Sequence, residues 1–122
     1  MQSEYFFPKM KVLHYLFHKV DGEVVAHCLD LDIVAAGDTE NEATERLNAI
    51  VKAQVESVLQ GRSVAGNLTT VAPQKYWDMF MAAPEIRRSQ LEIRVPQIVP
   101  TVTQKSALGI LSAQVLADAV AA

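Results

Sequence analysis

Two short segments at the front of the chain have the hydrophobic pattern of a β-hairpin. Residues 11–20 alternate apolar and polar side chains, and residues 23–29 are rich in apolar and β-branched ones. Asp21-Gly22 between them is a two-residue type I′ turn signal. The register that this turn sets predicts three opposed pairs, which are His18 with Val25, Leu16 with His27, and His14 with Leu29.

The alternation also divides this hairpin into two faces, because successive side chains of a strand point to opposite sides. One face is apolar and is the expected floor for a helix; it carries Leu13, Tyr15, Phe17, Val24, Ala26 and Cys28. The second face mixes polar and apolar residues, and we expect a partner protein to cover it. It carries His14, Leu16, His18, Val25, His27 and Leu29.

A capped amphipathic helix follows. Thr39 and Glu42 have the spacing of a capping box, which predicts a helix start at about Glu40. Apolar residues then recur at steps of three and four through Gln60, and Gly61 is a plausible stop. The apolar positions are Ala43, Leu47, Ile50, Val51, Val55, Val58 and Leu59.

An acidic turn and a third strand connect the hairpin to this helix. Asp30 and Asp32 flank Leu31 at a predicted turn, where aspartate is favoured because it bonds the local backbone. Ile33 to Ala36 is an apolar run that Gly37 ends. The order is therefore strand, strand, acidic turn, strand and helix.

The second half of the chain has weaker signals. Residues 62–67 read as a loop, and Pro73 can open a short helix through Met81 that closes the core or covers a neighbour. Leu91 to Pro96 alternates as an edge strand, the expected last strand of the sheet. The alanine-rich stretch 106–122 has a three-four apolar spacing that predicts a helical tail.

The run Leu29-Asp30-Leu31, then Gly37-Asp38-Thr39 with Glu42 and Ala43, resembles the HicB-like antitoxin family. The resemblance covers residues from about 10 to 60. It implies a small sheet-plus-helix domain, like part of a ribonuclease-H fold, that forms a homo-oligomer and neutralises a HicA-type RNA-cleaving toxin. It implies neither catalysis nor a cofactor, and it gives Gly37, Asp38, Thr39 and Glu42 a structural role.

Many proteins of that family also carry a C-terminal module that binds operator DNA. Here one strand precedes a proline-interrupted stretch, and no basic cluster accompanies it beyond Arg87-Arg88 and Arg94. The sequence therefore argues against direct DNA binding.

Charge is distributed unevenly along the chain. Residues 21–60 hold nine acidic side chains against Arg46 and Lys52, a net charge of −7, whereas the rest of the chain carries +4. A toxin that cleaves RNA needs a basic surface for phosphates, so an acidic domain could compete for that surface. The alternative interpretation is a charged face that only keeps a small domain in solution.

Two catalytic or metal-binding alternatives are less favoured by the spacing. Asp30, Asp32 and Asp38 could hold metal ions as in a nuclease, but each has a local role in a turn or cap. His14 and His18 are ~13 Å apart on an extended strand, too far for one metal ion without distortion. The single cysteine, Cys28, lies on the helix-facing side and excludes an internal disulfide.

These observations predict an α+β fold in which a small antiparallel sheet packs one long helix on a face. We expect a domain over 1–100, with its core at 10–60 and its last strand at about 90–96, and a helical tail over 101–122.

No run of apolar residues reaches a membrane span, and the N-terminus lacks a signal pattern, so a cytoplasmic location is expected. The function predicted is a non-enzymatic antitoxin. The alternatives are an orphan oligomeric scaffold or regulatory domain with no toxin partner and, third, a relic of a metal-dependent nuclease. The predicted partner-binding residues are His14, Leu16, His18, His27, Leu29, Asp30 and Asp32.

Overall fold

A computed structural model describes residues 12–60, 71–96 and 103–118 of the chain. The predicted loop at 62–67 and the outer parts of the predicted domain and tail lie outside these residues. Five strands and two helices follow one another in the order β1, β2, β3, α1, α2, β4 and β5. Their bounds are β1 Val12–Val20, β2 Glu23–Cys28, β3 Ile33–Gly37, α1 Glu40–Leu59, α2 Gln74–Ala82, β4 Ile86–Pro96 and β5 Thr103–Asp118.

The first three strands form an antiparallel meander in the predicted register. Leu16 pairs with His27 and His18 with Val25, and the Leu29 amide donates to the His14 carbonyl at 2.9 Å. Asp21 and Gly22 both have positive φ, at 51° and 84°, as a type I′ turn requires. The hairpin and the third strand are confirmed.

The last strand corrects two predictions. The sheet order is β3-β2-β1-β5-β4, with β5 parallel to β1 and antiparallel to β4, so the sheet is mixed rather than antiparallel. The predicted helical tail is wrong, because residues 103–118 form β5. Strand β5 lies inside the sheet and packs apolar residues on both faces, with Leu108 and Ile110 on one side and Leu111 and Ala113 on the other. Apolar residues distributed in this way also fit the three-four spacing of a helix. The strand predicted at 90–96 is confirmed at the sheet edge as part of β4, but it is not the last strand.

Helix α1 packs on the predicted apolar face. Its buried residues are Ala43, Leu47, Val51 and Val55. They meet a floor to which all five strands contribute. Its buried residues include Leu13, Tyr15, Phe17, Ala26, Cys28, Leu91, Ile93, Leu108 and Ile110, and β3 adds the partly buried Ile33 and Ala35. The long helix on one sheet face is therefore confirmed, and it forms the main hydrophobic core.

Helix α2 covers part of the opposite face. Phe80 of α2 packs with Leu16, Leu29, Ala72 and Ala113 in a second, smaller buried cluster. The short helix after Pro73 is confirmed, but the expectation that this sheet face is left open for a partner is wrong. The reason is that the segment after residue 70 returns to the sheet, where the Ala72 amide donates to the Leu29 carbonyl at 2.8 Å.

Within the described ranges, neither helix combines the length and apolar character needed to cross a membrane.

Candidate protein-binding surface

The capping motif after β3 is an interlocked structure. The Glu42 amide donates to the Thr39 hydroxyl at 3.1 Å, and the Glu42 carboxylate accepts from the Asp38 amide at 3.0 Å. Gly37 is required because a Cβ there would lie 2.7 Å from the backbone nitrogen of Ala43. Gly37, Asp38, Thr39 and Glu42 therefore fix the angle at which α1 leaves the sheet.

Acidic residues collect at the end of the sheet where this motif lies. Val24 pairs with Gly37, so the hairpin turn and the start of α1 are neighbours. Asp21, Glu23, Asp38 and Glu45 are exposed there. We call these four residues the acidic end.

Two further acidic residues of α1 near the acidic end have basic partners. Glu42 pairs with Arg46 at 3.3 Å, and Glu40 bonds Arg87 and Gln114. These pairs leave the four exposed carboxylates as the negative charge that a partner would meet.

The predicted partner-binding residues lie mostly elsewhere, between the sheet and α2. Leu16 and Leu29 are fully buried, and His18 and His27 are nearly so. These four side chains cannot contact another protein while α2 stays in place. Only His14, Asp30 and Asp32 of the predicted set keep appreciable exposure.

Two histidine–aspartate pairs organise this buried region. The His14 Nδ1 atom lies 3.0 Å from Asp30 Oδ2, and the His27 Nε2 atom lies 2.7 Å from Asp32 Oδ1. Asp30 also accepts the His14 backbone amide at 2.6 Å. Each ring can donate to its carboxylate in one tautomer, with the proton on Nδ1 for His14 and on Nε2 for His27.

Aromatic residues of α2 cover the three histidines. Tyr76 stacks on His18, with centroids 6.1 Å apart, and its ring meets His27 edge to face at 4.9 Å. Trp77 and Phe80 each meet His14 edge to face at 5.2 Å. We call the three histidines, Asp30, Asp32 and these three aromatic residues the histidine–aspartate layer.

The layer holds the acidic turn and α2 together. Asp32 has a positive φ of 53°, a conformation that aspartate tolerates better than most residues. The turn is further tied to α2 through Ala72, whose carbonyl accepts the Trp77 indole N–H at 3.2 Å. Both aspartates therefore have structural partners, and within the described residues no group of three side chains is arranged to hold a metal ion.

The sequence contained a signal for α2 but none for its docking site. Trp77 and Phe80 share a helix side, which indicates packing, yet no local pattern shows which surface they meet. Their contacts with His14 join residues more than sixty positions apart, so the histidine–aspartate layer could not be read from local spacing.

Burial also determines the chemistry of the other polar residues of the main core. The Tyr15 hydroxyl donates to Asn48 Oδ1 at 2.7 Å, and desolvation, with Cys28 and Asp30 nearby, raises the pKa of Tyr15. Desolvation, aided by the Asp30 charge, likewise raises the pKa of Cys28 to about 12. A thiol with such a pKa stays protonated and unreactive at neutral pH.

Comparisons of the chain with protein-family models, with curated proteins and with solved structures found no match.

Proposed function

We propose that this chain is a HicB-like antitoxin, a non-catalytic protein that binds and neutralises a HicA-type RNA-cleaving toxin. The observation that carries the proposal is the geometry of the Gly37-Asp38-Thr39 segment with Glu42. These residues form a locked cap that seats α1 on a three-stranded meander, in the sheet-plus-helix arrangement that the resemblance implies. A cytoplasmic location and a homo-oligomer belong to the same proposal.

The acidic end is the surface that we assign to the toxin. A protein that binds RNA neutralises phosphates with basic side chains. The exposed carboxylates Asp21, Glu23, Asp38 and Glu45 offer the same toxin surface a competing set of negative charges. Attraction between opposite charges speeds association and becomes weaker as salt screens it. Toxin bound here would have its RNA-binding surface blocked.

The histidine–aspartate layer supports a binding protein rather than a nuclease. Asp30 and Asp32 bond His14 and His27, so both carboxylates already serve to hold the turn. A magnesium- or manganese-dependent phosphodiesterase activity that Asp30→Asn abolished would overturn the non-catalytic proposal.

Co-expression tests the antitoxin function directly. The probe is a short basic reading frame next to this gene, expressed alone and together with this chain. The proposal expects growth arrest from the neighbour alone and rescue by this chain. A neighbour that is absent or harmless would contradict the proposal and favour the orphan scaffold.

Charge reversal then tests the assigned surface. We expect the Glu23→Lys/Glu45→Lys double variant to weaken binding to the purified toxin by about tenfold or more, equivalent to about 1.4 kcal/mol. The matched control is Glu85→Lys, which reverses an exposed acid outside residues 21–60. Equal weakening by both variants, or by neither, would contradict the assignment to the acidic end.

A further inference from the structure

The two edges of the sheet differ in how they are protected. Edge strand β4 carries Arg88, Glu92 and Arg94. Helix α1 also closes part of this edge, because Lys52 donates to the Glu92 carbonyl at 3.1 Å and Glu56 accepts the Arg94 amide at 2.8 Å. Charges and covered backbone groups are the devices by which proteins prevent another strand from pairing at an edge.

The opposite edge strand, β3, carries no charged side chain of its own, and the described contact of α1 with its backbone covers one carbonyl group, that of Ala36, through Arg46. Its sequence from Ile33 to Gly37 is Ile-Val-Ala-Ala-Gly, and among the strands that the structure describes only β2 pairs with it. Val34 is 55% exposed on the sheet face away from α1. An uncharged edge strand with an exposed aliphatic residue is a template for strand pairing.

Helix α1 presents a second exposed aliphatic residue beside the same edge. The Arg46 guanidinium donates to the Ala36 carbonyl at 2.7 Å. The side of α1 that carries Arg46 therefore faces the outer edge of β3. Ile50 is one turn further along that side and is 45% exposed. Helix α1 runs back along β3, and the four residues from Arg46 to Ile50 span about 6 Å of its axis. The two strand residues from Ala36 to Val34 cover a similar distance, so Ile50 lies level with Val34.

The backbone of β3 has hydrogen-bonding groups available for a partner strand. Since the Ala36 carbonyl bonds Arg46 rather than β2, it points outward, and the groups of Val34 point the same way because strand groups alternate. An antiparallel strand beside Val34 would accept its N–H and donate to its carbonyl. A strand that fills this place must be extended, uncharged and apolar.

We propose that the occupant is a second copy of this chain, with the two β3 strands paired antiparallel about a two-fold axis near Val34. The chain's own β3 has the required character, and a two-fold interface places the same patch on both sides. The joined sheet would expose only two β4 edges, which are the protected ones. A homo-oligomer is part of the proposed function, and this pairing names the surface that would form it. The co-expression test of toxin neutralisation and the dimerisation test below can fail separately, so the two failures are distinguishable.

Sedimentation equilibrium of the full chain tests the pairing. We expect a concentration-dependent dimer whose dissociation constant rises at least about tenfold in Val34→Lys. The matched control, Met81→Lys, places the same charge on α2 at a residue 80% exposed, and its dimer should equal that of the wild type. A monomer at every concentration, or a dimer that Val34→Lys leaves intact, would overturn the proposal. Far-UV circular dichroism checks that both variants are folded.

Cross-linking gives a second measurement that does not depend on a disruptive charge. Cys28 is the only native cysteine and is buried, so Val34→Cys adds the accessible thiol. A short bismaleimide should join Val34→Cys chains into a covalent dimer and leave Met81→Cys chains monomeric. Equal cross-linking of both variants, or of neither, would contradict pairing through β3.

Discussion

The two faces of the sheet are covered by different kinds of contact. The α1 face is a continuous apolar core, in which four buried helix residues meet a floor drawn from all five strands. In the described part of the chain, the α2 face buries five residues in its apolar cluster and adds two histidine–aspartate pairs beneath aromatic rings. The first face is held by apolar burial, whereas the second also depends on directional hydrogen bonds.

This difference affects where the molecule can bind a partner. A mixed polar and apolar strand face looks like an interface when only its own residues are considered. Here the same composition serves an internal contact, because each buried imidazole has a carboxylate or a ring beside it. The acidic end and the β3 edge, which we propose as binding surfaces, lie outside this internal contact.

Replacing one buried leucine by alanine on each face compares the stability of the two faces, and it has the largest expected effect. Leu47→Ala under α1 should lower the free energy of unfolding by about 3 kcal/mol, and Leu29→Ala under α2 by about 2 kcal/mol, because the smaller cluster can relax around the cavity. Urea unfolding followed by far-UV circular dichroism measures both. Both leucines are fully buried, so a larger loss for Leu29→Ala would contradict the ranking.

The single tryptophan makes a further distinction possible, since Trp77 lies in the histidine–aspartate layer. In Leu29→Ala its fluorescence should change at lower urea than the circular dichroism signal. In Leu47→Ala the two transitions should coincide. Coincident transitions in both variants would show that the two faces unfold as one unit.

Removing hydrogen bonds of the α2 face should give the second-largest loss of stability. Asp30→Ala leaves the His14 amide and ring without their carboxylate, which should cost about 1–2 kcal/mol of unfolding free energy. Asp21→Ala, an exposed aspartate in the hairpin turn, is the control and should cost less. Equal losses measured by urea unfolding would mean that the Asp30 contacts contribute little.

The smallest effect concerns a charged contact of the α1 face and depends on pH. Burial opposes ionisation of Glu56, but its bonds from Lys52 and from the Arg94 amide outweigh that effect and lower its pKa. A lowered pKa in the folded state stabilises the protein above the unfolded pKa, and this stability is lost as pH falls through the folded pKa.

Glu56→Gln should therefore cost about 1 kcal/mol at pH 7, and the difference from wild type should shrink below pH ~4. Urea unfolding at the two pH values measures it. Glu45→Gln, an exposed residue of the same helix, should cost little at either pH. A Glu56→Gln deficit that stayed constant down to pH 3 would contradict the ionic origin.

Local signals allowed the first half of the fold to be predicted. The Asp21-Gly22 turn set the hairpin register, and Thr39 with Glu42 set the helix start, since each depends on residues a few positions apart. Strand β5 could not be predicted in this way. Its alanines and leucines fit a helix by spacing. Pairing with β4 on one side and with β1, more than ninety residues away, on the other makes the segment a strand.

The candidate site, like the fold, could be predicted from local signals and not from long-range contacts. The acidic region was evident from charge counts, and the cap residues Gly37, Asp38, Thr39 and Glu42 from their spacing. The partner-binding assignment of Leu16, His18, His27 and Leu29 did not anticipate their burial, because the docking of α2 on that face is a long-range contact.

Amide hydrogen exchange of the intact chain tests the central claim, that the protein covers the histidine-bearing part of its second sheet face with its own helix α2. The amides of His14 and Ala72 donate to Asp30 and to the Leu29 carbonyl. We predict that both exchange at least about a hundredfold more slowly than in an unstructured peptide, an opening free energy of about 2.7 kcal/mol or more. Exchange of the Ala72 amide at the unstructured rate would show that the face is open and would contradict this account.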